Sequence, residues 1–170
     1  DSPMSRGLGD VYKRQWLNEA CLLLEEGAAN AAQIDAIACK AFRIGLGPFG
    51  LMNLTGPPIA LHSTDYLADQ LNTPRYTGAA NLRALVEANE QWDVSEDATY
   101  TDEQYTAVSE RLLGVVFGVA AQIVEEDICS MEDVDRGAKV GLRWARGPFE
   151  MMNRIGVGAV SYTHLRAHET

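Results

Sequence analysis

The chain has 170 residues, 46% hydrophobic and 22% charged, the balance of a protein able to bury a core in one domain or two small ones. Lys and Arg number 14 against 24 Asp and Glu, a formal net charge of −10, which argues against a nucleic-acid or anionic-membrane surface because neutralising phosphates needs a basic face. No apolar run approaches the roughly 20 residues that span a bilayer, nothing near the N-terminus reads as a signal peptide, and Cys21, Cys39 and Cys129 sit singly, as free thiols of a reducing cytoplasm.

Residues 1–15, DSPMSRGLGDVYKRQ, mix Gly7, Gly9 and a basic cluster without helical or strand periodicity and read as an unstructured tail. A helix is predicted from Trp16 to Glu26 with a stop at Gly27, and a second from Ile34 to Ile44. A third starts at Gly47-Pro48, since proline fits the first helical position, where no N–H partner is needed. After Pro57-Pro58 comes a helix with Leu61, Tyr66, Leu67 and Leu71, ending before Pro74, then another over Ala79 to Glu90 with Leu82, Leu85 and Val86 inward. Residues 93–103 hold five acids and no base, a solvated linker or, alternatively, an acidic binding patch.

Beyond the linker, Tyr105, Val108, Leu112, Val115, Val119 and Ile123 recur at steps of three and four, one apolar stripe along a long helix. Ser130 starts the next helix, with Glu132 and Asp133 favourably placed in its first turn. Gly147-Pro148-Phe149 opens the last, in which Phe149 and Met152 share a face. Residues 161–170, SYTHLRAHET, carry His164 and His168, with no helix or third ligand evident to make a metal site. Both terminal strings resemble adaptor read-through at the ends of reading frames from assembled environmental DNA, and are read as foreign. Residues 16–160 then contain 10 basic and 21 acidic side chains.

Residues 17–56 align with 117–156 without a gap, giving 12 identities in 40. Glu25-Glu26, Asp35, Arg43, Gly47-Pro48-Phe49, Met52-Asn53 and Gly56 all recur one hundred residues later. The identities cluster at turns and helix starts, where backbone geometry restricts residue choice. The chain thus reads as two copies of one all-α unit, residues 16–92 and 104–160. Copy 1 is expected to begin mid-helix, because residues 5–15 lack the apolar set found at 105–115.

Gly45-Leu46-Gly47-Pro48-Phe49-Gly50 satisfies the G-x-G-x-x-G pattern of dinucleotide-binding folds. That chemistry needs a strand before the loop, whereas Ile34 to Phe42 reads as a helix, and Pro48 removes a donor the phosphate would want. Copy 2 shares only Gly-Pro-Phe. Gly47, Pro48, Phe49, Gly147, Pro148 and Phe149 are therefore read as helix-start residues, with both phenylalanines as buried anchors. His62 with Asp65 could form a catalytic pair, but a satisfied polar residue on a helix is the plainer reading. No Glu-x-x-His or Cys-x-x-Cys offers a metal site, and Glu25-Glu26 and Glu125-Glu126 are adjacent, not opposed. No catalytic, cofactor-binding or metal-ligating residue is assigned.

Asn18-Glu19-Ala20, Glu25-Glu26-Gly27, Ile34-Asp35 and Gly47-Pro48-Phe49 resemble, in order and spacing, the C-terminal domain of 3-hydroxyacyl-CoA dehydrogenases. Two such domains in tandem resemble the end of the bifunctional or multifunctional enzymes of fatty-acid β-oxidation. The resemblance covers residues 16–160. It implies a preceding Rossmann domain that binds NAD and supplies the catalytic histidine and glutamate, while the C-terminal domain encloses the acyl-CoA and forms the dimer. The second copy would then stand in for a dimer partner. The family's active-site asparagine, in an Asn-Arg pair about eight residues before Asn-Glu-Ala, falls on Asp10 and is not present. The resemblance thus implies a region inactive alone, binding no cofactor itself. A non-catalytic helical interaction module and a related 3-hydroxyacid dehydrogenase are the alternatives.

Overall fold

Side chains that satisfy the orphan amides of a helix start fix several elements locally. Asn30 accepts from the Gln33 amide at 2.7 Å while the Gln33 side chain accepts from the Asn30 amide at 2.9 Å, a reciprocal capping box. Thr101 and Gln104 repeat it at 3.1 and 3.0 Å, and Ser130 caps the Asp133 amide at 3.2 Å. The computed structural model describes residues 3–71 and 77–156, and among these every regular element is helical. In chain order they are α1 (Pro3–Glu25), α2 (Ala31–Phe42), α3 (Pro48–Thr55), α4 (Pro57–Leu71), α5 (Ala80–Glu87), α6 (Asp102–Glu125), α7 (Met131–Gly141) and α8 (Pro148–Ile155). The all-α reading is correct.

The repeat in sequence is also a repeat in backbone. Left-handed residues pair at the same offset of one hundred: Gly27 with Asp127, Arg43 with Arg143, Gly56 with Gly156. α1, α2 and α3 correspond to α6, α7 and α8. The packing is crossed: α1 lies on α6 and α7, while α6 lies on α1 and α2. Each long helix therefore covers the second helix of the other half. Trp16 of α1, Phe42 at the end of α2 and Trp144 after α7 form one aromatic cluster, with ring centroids 5.0 to 5.9 Å apart. α4 and α5 pack together beside α1. Asn18 joins that side by donating to the Thr77 carbonyl at 3.2 Å and accepting from the Ala79 amide at 2.9 Å.

Two expectations need correction. Residues 3–15, expected to be unstructured, continue α1, so copy 1 does not begin mid-helix in the fold: α1 has 23 residues and α6 has 24. Packing of the segment around Trp16 and Leu17, both buried, supplies the nucleus, and each residue added upstream then gains a hydrogen bond without a new nucleation cost. Segment 93–103, read as a solvated linker, is exposed over most of its length and is held at two points. Asn30 and Gln33, at the start of α2, donate to the Asp97 and Thr99 carbonyls at 3.1 and 2.6 Å. Finally, α6 is long and apolar enough to cross a membrane by length and composition, although 56% of that stretch is buried inside the protein. His164 and His168 lie outside the described residues.

Candidate functional site

The helix starts at Gly47-Pro48-Phe49 and Gly147-Pro148-Phe149 are built alike. Asp35, on α2, accepts from the Phe49 and Gly50 amides at 2.8 Å each. Asp135, on α7, accepts from the Phe149 and Glu150 amides at 2.8 and 3.1 Å. A carboxylate thus caps α3 and α8 from a helix fourteen residues upstream. Gly47 and Gly147 are glycines because a Cβ there would run into the Asp35 and Asp135 backbone. Burial pushes the Asp35 carboxyl above its ordinary value, with the two amide bonds pulling the other way. Asp135 is raised by burial too, opposed by its amide bonds and by Lys139.

This geometry decides the G-x-G-x-x-G segment. The donors a pyrophosphate would need at the start of α3 already serve Asp35, and a second anion there would meet that carboxylate. The residues at this turn do not fit a pyrophosphate. His62 is exposed, and Asp65 is bound to Arg83 at 2.8 Å and to the Gly78 amide at 3.1 Å, so the carboxylate is committed elsewhere. Phe49 is fully buried and meets Trp92 at 4.9 Å. Phe149, expected to be buried likewise, is only half-buried. Trp92 lies outside the aligned segment 17–56, and among the aromatic contacts of the described residues no ring takes its place over Phe149. Met52 is the buried methionine of α3, whereas Met151 is that of α8.

Glu19 has a role that its position in the sequence does not announce. Arg111 of α6 donates to it at 2.6 Å and to Glu26 at 2.9 Å, fastening the two long helices together. Position 11, the counterpart of 111, is a valine, so the repeat gives no sign of this clamp.

Where the two halves meet, a groove of about 430 Å³ opens between the turn after α2 and the turn after α7. Ile44, Gly45 and Leu46 form one wall, Gly141 to Trp144 the other, with Leu51, Leu54, Trp16 and Lys13 completing it. Arg143 and Lys13 are its cations. The groove borders a wider basic area: partial desolvation, then the charges of Arg154 and Arg43, lower the Arg146 guanidinium, while Glu150 opposes them. The groove is not legible in the sequence, because its parts come from three distant stretches. The one available signal was Arg43 recurring as Arg143.

A family model described as 3-hydroxyacyl-CoA dehydrogenase, C-terminal domain, matches the chain over residues 12–102 and 108–169. No curated protein and no solved structure matches.

Proposed function

Because the chain belongs to the family of the 3-hydroxyacyl-CoA dehydrogenase C-terminal domain, we propose that it is the substrate-enclosing, dimer-mimicking region of an NAD-dependent enzyme of fatty-acid β-oxidation in the cytoplasm. Its partner in that role is a Rossmann domain, which holds the nicotinamide cofactor and the catalytic histidine and glutamate, and the substrate enclosed between them is an acyl-CoA. The observation that carries this reading is the crossed packing of the two halves, in which α1 covers α7 as α6 covers α2. A duplicated unit that reuses its own interface in this way takes the place of a twofold dimer within one chain. The Asp35 cap supports the assignment of cofactor binding to the partner domain, since it uses the donors at the start of α3.

The test has two stages. Calorimetry with NADH and a turnover assay on the purified chain should give neither saturable binding nor oxidation of a 3-hydroxyacyl-CoA. A separately produced Rossmann domain of such an enzyme, mixed with this chain, should form a stoichiometric complex. Micromolar NADH binding by the chain alone, or no complex with the Rossmann domain, overturns the proposal; the second outcome would leave a helical interaction module as the better account.

A further inference from the structure

We propose that the groove between the 44–46 turn and the 141–144 turn binds a small anionic amphiphile, an apolar body carrying one carboxylate or phosphate. The inference goes beyond the function proposed above and does not rest on it. Ile44, Leu46, Leu51 and Leu142 give the groove an apolar wall, and Leu46 and Leu54 stay 41% and 76% exposed. Its volume, about 430 Å³, lies within the range of small-molecule clefts. Contiguous apolar side chains left open to water beside a cleft mark a binding surface rather than core.

Charge selects the occupant. The chain carries a net charge of −10, yet Lys13 and Arg143 both line this groove. None of the ion pairs among the described residues takes Lys13, Arg43, Arg143, Arg146 or Arg154. The other clustered cations are spent: Arg83 on Asp65, Arg111 on Glu19 and Glu26, Lys139 on Glu150. Unspent cations at the mouth of an apolar groove favour an anionic head and a hydrophobic body. One wall belongs to each half of the repeat, so the site exists only when the halves are paired.

Tryptophan emission reads the site directly, because Trp16 and Trp144 line the groove while Trp92 packs against Phe49. The whole chain is titrated with dodecyl phosphate, laurate, dodecanol and dodecyltrimethylammonium, each below its micelle concentration, with calorimetry for stoichiometry. Saturable one-to-one binding of an anion is expected, and the tighter of the two identifies phosphate or carboxylate as the preferred head. Arg143→Gln and Lys13→Gln should each weaken it at least tenfold, and higher salt should weaken it further. Gly45→Phe, placed where a Cβ meets open space, should block the groove and serves as the test if Arg143→Gln fails to fold. Equal binding of the neutral or cationic amphiphile, non-saturating uptake, no binding, or unchanged affinity in the Gln variants would each overturn the proposal. So would a stronger response to polyglutamate than to either anion, which would assign the cations to an acidic protein surface. None of these readouts involves NAD or a Rossmann domain, so failure here leaves the function proposed above untouched.

Discussion

Asp35 holds the Phe49 amide at 2.8 Å across fourteen residues of chain, and through that bond the second helix of the first half dictates where the third begins. Asp135 holds Phe149 at the same distance. The conserved geometry of the two turns is therefore a carboxylate cap delivered from a neighbouring helix, with glycine beneath it to let the carboxylate come close. Asp35→Ala should cost about 2 kcal/mol, the range of a strong helix cap left open. Chemical denaturation measures it, and a cost below about 0.5 kcal/mol would mean that Gly47-Pro48 alone fixes the helix start.

Gly47→Ala and Gly147→Ala test the other half of that relationship. Each places a methyl group against aspartate backbone that has no room to give, so each should destabilise by about 1–3 kcal/mol, as overpacking does. The backbone angles at both glycines are ordinary extended values. Strain in the main chain is therefore not the cause, and combining Gly47→Ala with Asp35→Ala should show strong non-additivity in a double-mutant cycle.

The two phenylalanines should separate. Phe49 is sealed beneath Trp92, and Phe49→Ala should cost roughly 3–5 kcal/mol, which lowers the melting temperature by about 2–4 °C per kcal/mol in a chain of this size. Phe149 is half-buried and should cost less than half as much on conversion to alanine. Equal shifts in thermal melts of the two variants would refute the difference in packing.

Acid titration should show two windows of opposite sign. Asp35 has its carboxyl raised by burial, so the stability tied to its protonation is present in full below the unfolded value of about 3.9 and is lost as pH rises through its higher folded value. Asp93 and Asp97, lowered chiefly by their Ser95 and Thr99 hydroxyls, contribute above the unfolded value and lose it as pH falls through their lower folded values. The deficit of Asp35→Asn relative to the native chain should therefore shrink as pH is raised from the unfolded value of about 3.9 through the higher folded value of Asp35. Urea denaturation across that interval checks the sign.

Arg111→Ala removes the clamp between the long helices. Its partner Glu19 is only 15% exposed and would be left without the guanidinium, so a loss of about 1.5–3 kcal/mol is expected, whereas removing the exposed Glu26 should cost well under 1 kcal/mol.

Much of this architecture is legible in the chain itself. The gapless correspondence of 17–56 with 117–156 showed the duplication, and the spacing from Tyr105 to Ile123 showed the long helix. Less legible were features made by residues far apart. A carboxylate at 35 that caps an amide at 49 obeys no local spacing rule, and Arg111 reaches Glu19 across 92 positions. Residues 3–15 misled in the other direction: two glycines and no apolar stripe argue against a helix, but propagation from a packed neighbour outweighs a weak propensity. Phe149 departs from Phe49 because the repeat predicts equal burial only where the surroundings are also repeated, and Trp92 has no copy.

The cluster of Trp16, Phe42 and Trp144 has a consequence for how the chain can be cut. Two of its rings come from one half and the third from the other, so either half alone would expose an aromatic face with nothing to cover it. The connecting segment between α5 and α6 then works as a tether, holding the halves at an effective concentration in the millimolar range that short linkers produce. A protein cleaved near Asp93 should stay assembled at high concentration and dissociate on dilution, and its melting temperature should become concentration-dependent where that of the intact chain is not.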